Sequence, residues 1–511
     1  MIPWYSPFNR GYAGAGGSFN SQTLAGFNSY SESATADLLP VRMQLVSRSR
    51  QLAISNPMAA AAIDRMCSGI VGEGLSYATQ DKSESEDISD LSKFIKKKFS
   101  LASHIKALDA QRRLSFAQMQ SLACRNWLLS GDIFYLRKDS DTGFSSWRAV
   151  ESDRVQTPYF YSVYNDLGTE LCVNPDTGHR IIDGVELDED AIPVAYWTLK
   201  DYIERPWMVE PDQIERIPAM DSDGFPLVLH LFSPLRPDQF RGIPMLSQNI
   251  ESLFATTNFV RAVEQSAQFQ SSIWGFVTSE NPTTDEFEAL DSRDLDEKIP
   301  IEPKTKDTPE DAPTMTLSPD FAQKMDSKAW FDRIMPKPKT VSAGELWQLK
   351  PGEDVKFLNP ANPNSNFDAY IKSQTGMLAA AIGIPIQTLA CSYDGTYASA
   401  RGSVLEANRA FKRYRGFFLE SFVKPIFEKF TYDIIKDRYD DPRYLSMLLT
   451  VNSQWQAPTA LCLDPTKEIQ AWKMAQEMGL VDRDEIAMAL YGHKATGTPS
   501  TPDKTVEVDR V

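Results

Sequence analysis

Residue types that carry catalysis or bind metal ions occur in this sequence, but they form no recognisable pattern. Only four of the 511 residues are histidine and five are cysteine. The histidines His104, His179, His230 and His493 include no HxxxH or HExxH arrangement, and no two cysteines are spaced as CxxC. Zinc sites and disulfide frameworks depend on such spacings, so we expect neither. His179, beside a glycine, is interpreted as a turn residue, and His230, in an apolar strand, as a packed core histidine.

Acidic residues are the second group that could do chemistry. Glu73, Glu151 and Asp153 can be imagined as the ligands of a two-metal nuclease, but the chain has 69 acidic residues and such neighbours are expected by chance. The sequence contains no Gly-Lys-Ser/Thr of a phosphate-binding loop and no GxSxG nucleophile elbow. These absences favour a protein that is not an enzyme and needs no cofactor.

Composition limits the remaining classes of function. The length suggests two to four domains, and 42% apolar residues can bury a core. The net charge of −16 does not favour a surface that grips nucleic acid, because phosphate binding depends on Lys and Arg. The scattered cysteines indicate a reducing compartment, such as a cytoplasm. The longest apolar run, near residues 377–386, is too short to span a bilayer, so we expect no membrane contact.

Two helices around a short loop organise the chain. The first is predicted at residues 367–384, and Pro385 is expected to end it because proline lacks an N–H and clashes with the preceding turn. A loop is predicted at residues 385–399. The second helix is predicted at residues 400–435, about 50 Å long, with a kink at Pro425. Its apolar residues lie three or four apart, as one helix face requires: Val404, Ala407, Phe411, Tyr414, Phe418 and Phe422.

The other elements are predicted from periodicity and turn residues. Residues 1–35 are expected to be a flexible arm whose aromatic residues dock on a neighbouring subunit. Asn56 and Pro57 predict the cap and first turn of a helix at 58–70. Further helices are predicted at 91–99, 116–129, 245–270 and 466–478. Strands are predicted at 133–137, 147–150, 194–199 and 227–232. Residues 276–360 are predicted to form a small inserted α+β module between two long helices. Long helices that a single chain does not bury suggest a symmetric oligomer.

The motifs of this chain, taken in order, resemble the portal proteins of tailed bacteriophages, specifically the lambda-like branch. The carriers are RSRQLAISNP at 48–57, IVGEGL at 70–75, SGDIF at 130–134, ESDRV at 151–155, and GVELD at 184–188 followed by PVAY at 193–196. The strongest are RPDQFRGIP at 236–244, PGE at 351–353, AAAIGIP at 379–385 and YASAR at 397–401. No single motif is decisive, but their order and spacing together are specific, and they cover residues 38–436.

The resemblance implies an α+β, helix-rich portal fold that assembles into a ring, typically of twelve subunits, at one capsid vertex. Its parts would be an arm at 1–35, a wing at 36–243, a first stem helix at 244–275, a clip at 276–360 and a second stem helix at 361–385. A tunnel loop at 386–399, a long wing or spine helix at 400–440, a crown at 441–495 and a disordered tail at 496–511 would complete it.

The resemblance also implies the residues that meet DNA and partners. The tunnel loop would surround DNA with Gln387, Thr388, Ser392, Tyr393, Asp394, Thr396, Tyr397 and Arg401. This loop is mostly uncharged, as low affinity for sliding DNA requires. Arg401 is interpreted as structural or as a phosphate contact, and Lys372 as channel-facing or as part of a surface salt bridge. Acidic clip residues would dock the motor or the tail adaptors: Asp285, Glu286, Glu288, Asp291, Asp294, Asp296 and Glu297. A plain solvated surface is the alternative for these acids.

The implied function is a virion protein, assembled in the host cytoplasm, through which the terminase packages double-stranded DNA and DNA later leaves for the tail. The implied partners are further copies of the chain, the terminase large subunit, the major capsid protein and scaffold, and head-tail adaptor proteins. Two alternatives stay open. One is a capsid or tail structural protein without a DNA channel, and the other is a nuclease or terminase-like enzyme.

Overall fold

The computed structural model describes residues 33–78, 86–139, 143–164, 170–202, 210–272, 275–279, 353–357, 367–393, 395–436, 454–456 and 465–481, with residues 483, 486 and 487. The chain divides into two compact units. The first comprises Met1–Phe259 and Asn366–Val511, and the second comprises Val260–Ser365. Among the described residues, no helix combines the length and the apolar character needed to cross a membrane.

Helices dominate the described part of the chain. Their bounds are α1 (Ala34–Leu38), α2 (Arg42–Ser55), α3 (Pro57–Ile70), α4 (Glu86–His104), α5 (Phe116–Ser130), α6 (Ile250–Ser272), α7 (Phe367–Ile382), α8 (Ile386–Ala390), α9 (Tyr397–Phe418), α10 (Lys424–Ile435) and α11 (Pro465–Glu477). The predicted cap of α3 is confirmed, because the Asn56 side chain accepts from the N–H groups of Met58 and Ala59. The Asn56 amide also donates to the Leu253 carbonyl at 3.2 Å, so it joins α3 to α6.

The described residues of the first unit form three antiparallel sheets. Their strands are β1 (Ser76–Ala78), β2 (Asp132–Lys138), β3 (Ser146–Glu151), β4 (Ser162–Tyr164), β5 (Glu170–Val173), β6 (Arg180–Ile182), β7 (Val185–Leu187), β8 (Pro193–Leu199), β9 (Ile214–Pro218), β10 (Val228–Phe232) and β13 (Gln454–Gln456). The orders are β10–β2–β3, β4–β5–β6–β7–β8–β9, and the pair β1–β13. The four strands predicted from the sequence are confirmed, and the helix-rich α+β class is confirmed with them.

The main core of the first unit lies where α3, α4, α5, α9 and α10 meet. Phe99 lies in its aromatic part, with ring centroids 5.0 Å from Phe116, 5.1 Å from Phe427 and 5.0 Å from Phe430. Trp455 of β13 packs against the same group, 5.4 Å from the Phe427 ring. Residues 454–456, which the resemblance places in the crown, therefore pack against the main core of the first unit through Trp455.

The long helix predicted at 400–435 is confirmed in its position and buried face but differs at its centre. Residues Leu419–Val423 form a π-helical turn between α9 and α10. The Lys424 N–H donates to the Leu419 carbonyl, five residues earlier, instead of to the residue four earlier. Pro425 follows in the first turn of α10. At this position the lack of an N–H in proline costs no helix hydrogen bond. The wider π turn thus accommodates the proline that was expected to kink the helix.

Helix α6 confirms a long helix in the region predicted at 245–270, but it begins at Ile250. Within it Leu253 is 2% exposed, whereas the neighbouring Phe254 is 61% exposed. Adjacent helix residues point about 100° apart, so Leu253 and Phe254 are not centred on the same face.

In the second unit the described residues form an antiparallel pair of strands. Strand β11 (Gly275–Ser279) pairs with β12 (Glu353–Phe357), with Gly275 opposite Phe357 and Ser279 opposite Glu353. The pairing brings together the two ends of the segment predicted as an inserted module. The acidic residues from Asp285 to Glu297 that were predicted to dock partners lie outside the described residues.

Candidate functional site

The segment from α7 to α9 contains the predicted tunnel loop. Helix α7 ends at Ile382 and is followed by Gly383, whose φ of 77° favours glycine. The N–H groups of Gly383 and Ile384 both donate to the Ala379 carbonyl at 3.0 Å, which closes the last turn. Pro385 is extended and caps α8. The prediction of an irregular loop over 386–399 is therefore wrong, because Ile386–Ala390 is helical and α9 begins at Tyr397.

Leu389 anchors the short helix α8. Its side chain is only 4% exposed and belongs to the main core, together with Leu378 and Ile382 of α7. Cys391 then adopts the left-handed conformation, with a φ of 52°. The N–H groups of Cys391 and Ser392 donate to the Gln387 carbonyl, which ends α8. The described residues of the segment that lie between α8 and α9 are thus only 391–393, 395 and 396.

The predicted tunnel-loop residues differ in how far their side chains are exposed to solvent. Tyr393 and Tyr397 are 36% and 42% exposed, and Thr396 is exposed while its hydroxyl caps α9 by accepting from the Ser399 N–H. Gln387 and Ser392 are half-buried. The Thr388 hydroxyl oxygen is buried without a hydrogen-bond partner, which does not favour its contact with DNA from this surface. Asp394 lies outside the described residues.

The two predicted cations, Arg401 on α9 and Lys372 on α7, are both exposed. In the described part of the chain neither has a hydrogen bond or ion pair. A surface salt bridge for Lys372 therefore has no support within one chain, and the same holds for an internal capping role of Arg401. An arginine further along α9 does have such a role. Arg415 donates from Nε to the Ile70 carbonyl at 2.9 Å and from its terminal nitrogen to the Gly69 carbonyl at 2.6 Å.

A buried charge cluster, which sequence reasoning missed, holds the chain that leads into α6. Arg241 is 2% exposed, and its Nε donates to Asp132 Oδ2 at 2.6 Å. Its other nitrogens donate to the carbonyls of Ser152 at 2.8 Å, Val155 at 3.0 Å and Asp183 at 2.6 Å. The guanidinium thus ties together β2, the turn after β3 and the turn between β6 and β7. The signal was available, because Arg241 lies in the strongest motif and Asp132 in another.

Arg42 of α2 completes this cluster from the opposite side. It is 1% exposed, donates to Ser152 Oγ at 2.9 Å and pairs with both carboxylate oxygens of Asp183. Gly242 lies directly against Gly131, and a Cβ at Gly242 would be 1.9 Å from the Gly131 carbonyl oxygen. Only glycine at 242 allows the two backbones to approach this closely.

The cluster changes the proton affinity of its members. Burial opposes ionisation of Asp132, but the neighbouring Arg241, with His230 and Arg42, holds the pKa of that carboxyl well below its usual value. Burial lowers the pKa of His230, whose Nε2 lies 3.4 Å from Asp132 Oδ2, and the two arginines lower it further. His230 stacks on Phe134 at 4.2 Å. The prediction that it is a packed core histidine is confirmed.

A second buried carboxylate organises the six-stranded sheet. The fully buried Glu186 accepts from Arg216 Nε at 2.8 Å, from Trp197 Nε1 at 3.0 Å and from the Asn174 amide at 3.2 Å. Burial alone would raise the pKa of Glu186, but Arg216 and the other donors lower it to about 2. His179 Nδ1 lies 3.3 Å from the same carboxylate, in the turn predicted for it.

The residues of the nuclease alternative do not form a metal site in the described part of the chain. Arg50 lies between Glu151, at 3.6 Å, and Asp153, at 2.5 Å. Its cation occupies the place that a metal ion would need. Among the described residues, no group of three or more His, Cys, Asp or Glu could hold a metal ion.

Comparison with known proteins now decides the family. The family model described as "Phage portal protein, lambda family" matches residues 20–415. This chain belongs to the lambda family of phage portal proteins. It is 22% identical to the portal protein of Escherichia phage N15 over 492 residues, covering 92% of this chain and 85% of that protein. It is 24% identical to a probable portal protein of Halomonas phage phiHAP-1 over 263 residues, covering 50% of this chain and 42% of that protein.

Solved structures give a weaker likeness to this portal protein. The neck of an empty gene transfer agent particle, computed with C6 symmetry, aligns with a TM-score of 0.42 and 14% identity, covering 90% of this chain and 94% of that chain. A portal protein of the HK97 family from Corynebacterium diphtheriae aligns with a TM-score of 0.30 and 11% identity, covering 74% of this chain and 88% of that chain. Both scores are below 0.5, and membership of the family rests on the sequence match.

The buried charge cluster is formed by residues in or beside the motifs that resemble the portal family. Asp132, Ser152, Asp183 and Arg241 lie in or next to four of the motifs that carried the resemblance. These segments are far apart in the sequence and meet around one guanidinium. The motif residues therefore include the group that holds the chain in place before α6.

Proposed function

We propose that this portal protein forms a ring at one vertex of a phage capsid, through which double-stranded DNA enters and leaves without sequence-specific contacts. The observation that carries the proposal is the match to the lambda portal family over residues 20–415. In this proposal the protein is a structural conduit and not an enzyme. It would be a component of the virion, assembled in the host cytoplasm.

The arrangement of the helices supports the proposed division into parts. Helices α6 and α7 would be the stem helices, because one precedes and the other follows the segment closed by β11 and β12. That segment, residues 276–360, would be the clip. Residues 36–243 with the long helices α9 and α10 would be the wing, and the crown would follow residue 456, because Trp455 packs in the wing core.

The proposed DNA-facing segment is the tip at residues 391–396, with the adjoining exposed residues Tyr397 and Arg401. Leu389 fixes the base of this tip in the core, and Thr396 caps the next helix. The exposed tip residues Tyr393 and Thr396 are uncharged. A tip without Lys or Arg on a subunit of net charge −16 would give DNA few phosphate contacts, so that DNA can slide. Lys372 would add one cation to the stem.

The proposed assembly has twelve copies. Neck structures similar to this chain were computed with C6 and with C12 symmetry, which is compatible with a twelve-membered ring. Its proposed partners are the terminase large subunit, the head-tail adaptor proteins, and the major capsid protein with its scaffold. The acidic residues from Asp285 to Glu297 would dock the motor or the adaptors. Reversal of these charges should then weaken motor binding, and unchanged binding would leave them as a solvated surface.

The first experiment is native mass spectrometry of the purified chain, combined with negative-stain end views. A closed ring of about twelve subunits with a centre wide enough for a duplex supports the proposal. A filament, or an assembly with a closed centre, would instead favour a structural ring protein without a DNA channel. A chain that stays monomeric even with its scaffold partner would contradict the ring.

A second experiment isolates the tip. Residues 392–395 are replaced by a Gly-Ser segment of the same length, which keeps both Leu389 and the Thr396 cap. Rings should form as in the wild type, while DNA packaging or retention falls. The matched variant replaces residues 386–390 instead and should lose stability, because it removes the Leu389 anchor. Normal packaging by the tip variant would show that the tip does not meet DNA.

A further inference from the structure

Helix α9 presents an exposed basic face on an acidic protein. This basic face consists of Arg401, Leu405, Arg409, Lys412 and Arg413, all exposed and spaced one to four residues apart. The opposite side of the helix is buried through Val404, Ala407, Phe411 and Phe418. Helix α9 has five basic residues and one acidic residue, in a chain whose net charge is −16.

The basic face has few partners within the subunit. Arg409 lies 3.5 Å from Glu406 on its own helix, and both side chains are largely exposed, at 82% and 63%. The Arg413 guanidinium lies 5.0 Å above the adjacent Tyr414 ring. In the described part of the chain, no hydrogen bond or ion pair joins the basic face to another element. The side chain of Leu405, at the centre of the face, is 57% exposed.

The opposite charge is concentrated in the part of the chain that holds the six-stranded sheet. Residues 155–232 contain fifteen acidic and four basic residues. Between β7 and β8, the acidic turn at residues 188–192 combines exposed Glu189 and Asp190 with Ile192, which is 56% exposed. Both the basic face and the acidic turn therefore place one exposed apolar residue among charges of a single sign.

The acidic turn has a fixed shape. Asp188 Oδ1 accepts from the N–H groups of Asp190 at 3.0 Å and Ile192 at 2.8 Å, and the Ala191 N–H donates to the Asp188 carbonyl at 3.2 Å. Asp188 is thus used to hold the turn, while Glu189 and Asp190 remain exposed. A preformed surface loses little conformational entropy on binding.

We propose that the basic face of α9 binds the acidic turn of a neighbouring copy of this chain. A closed ring needs two different, complementary surfaces on each copy, and this chain carries both. Leu405 would meet Ile192 at the centre, with Arg409 and Lys412 facing Glu189 and Asp190. The exposed leucine favours a protein partner over DNA, because phosphate binding does not require a buried apolar residue. The inference rests on the proposed ring.

The test uses two charge-reversed versions of the full chain. R409E/K412E makes the basic face acidic, and E189K/D190K makes the acidic turn basic while leaving Asp188 in place. Each variant alone should need at least about tenfold more protein to form rings, which corresponds to about 1.4 kcal/mol per interface. An equimolar mixture should form rings again, because the two chains can alternate with every contact between opposite charges. Rescue of this kind requires both variants to be folded.

The control is K96E/K97E, which makes the same change in net charge as R409E/K412E but on exposed residues of α4. It should assemble as the wild type does. Raising the ionic strength from about 0.1 M to 1 M shortens the screening length from about 10 Å to 3 Å and should weaken wild-type assembly.

The outcomes separate the inference from the proposed function. If the wild type forms no ring, the proposed function fails. If the wild type forms rings and either reversed variant assembles equally well, the inference is overturned while the ring stands. The inference is also overturned if the mixture does not assemble. Normal rings of R409E/K412E that retain less DNA would assign the basic face to DNA.

Discussion

Replacing Arg241 by methionine tests whether the buried charge cluster stabilises the fold around β2, β3 and the turn between β6 and β7. Methionine keeps the length and apolar volume of the side chain but removes its charge and donors. Asp132 would then remain fully buried with only His230, the Gly242 N–H and Ser152 as partners. The carbonyls of Ser152, Val155 and Asp183 would each lose a donor.

The cost follows from these lost partners. Removing one partner of a buried ion pair costs about 3–5 kcal/mol, because the other charge stays buried without compensation. The additional carbonyls left without Arg241 place the expected loss in the upper part of that range, about 4 kcal/mol. The matched control is Arg125→Met. Arg125 and its partner Asp64 are 44% and 59% exposed, so this change should cost less than about 1 kcal/mol.

The assay is urea unfolding followed by tryptophan fluorescence, since Trp147 and Trp127 are buried in the same unit. The change in free energy is the shift in midpoint multiplied by the slope m. Asp132→Asn and the double variant complete a cycle, and the coupling between the two residues should exceed about 2 kcal/mol. An Arg241→Met chain within about 1 kcal/mol of wild type would refute the role assigned to the cluster.

Three further changes test neighbouring parts of the structure. Gly242→Ala should unfold at markedly lower urea than wild type, because the added methyl group meets the Gly131 carbonyl oxygen at 1.9 Å; equal midpoints would contradict that contact. Leu389→Ala should cost about 2–5 kcal/mol and raise protease cleavage at 391–396, whereas an unchanged cleavage rate would show that Leu389 is not the anchor. Stability should fall in two steps on acidification. The first begins near pH 6.5, because His230 resists protonation when folded, and the second near pH 3.9, where Asp132 begins to bind protons in the unfolded chain. His230→Gln should remove the first step, and its persistence would assign that step to other groups.

Local signals in the sequence predicted much of the helical part of the fold. Asn56 followed by Pro57 predicts both the cap and the first turn of α3, because both effects involve only neighbouring residues. The long helix α9 was predictable because Val404, Ala407, Phe411 and Phe418 repeat at helical spacing and all are buried. The strands at 132–138 and 193–199 were predicted because their apolar runs are long enough to be distinguished from loops.

Short elements were missed for a physical reason. Helix α8 has five residues, fewer than two turns, so its sequence shows no periodicity. Pro385 was interpreted only as the end of α7, although a proline is equally suited to precede a new helix. Strands β6 and β7 have three residues each, too few for a clear alternation of apolar and polar residues. Glu186 of β7 is fully buried, although glutamate is a residue type that predicts exposure to solvent. Its burial depends on Arg216, thirty residues later in the chain.

The candidate site was the least predictable part, because its geometry depends on contacts between distant residues. Arg241 and Asp132 are 109 residues apart, and no spacing rule joins them. The burial of the Thr388 hydroxyl likewise follows from the packing of α8, which the sequence did not show. Tyr393, Tyr397 and Arg401, which were predicted to meet DNA, are on the surface.

The motifs that identify the family hold the buried charge cluster, whereas the charged residues that are reversed to test the proposed contact between copies lie outside these motifs. Arg241, Asp132 and Gly242 lie in the motifs, are buried, and fix the chain that enters α6. Arg409 of the basic face and Glu189 of the acidic turn lie outside the motifs and are exposed. A change in the buried group acts through folding, so it should reduce ring formation and DNA passage together. A change in the exposed group leaves the fold intact and should alter which copies can join, which is why charge reversal can be rescued by a second chain and loss of Arg241 cannot.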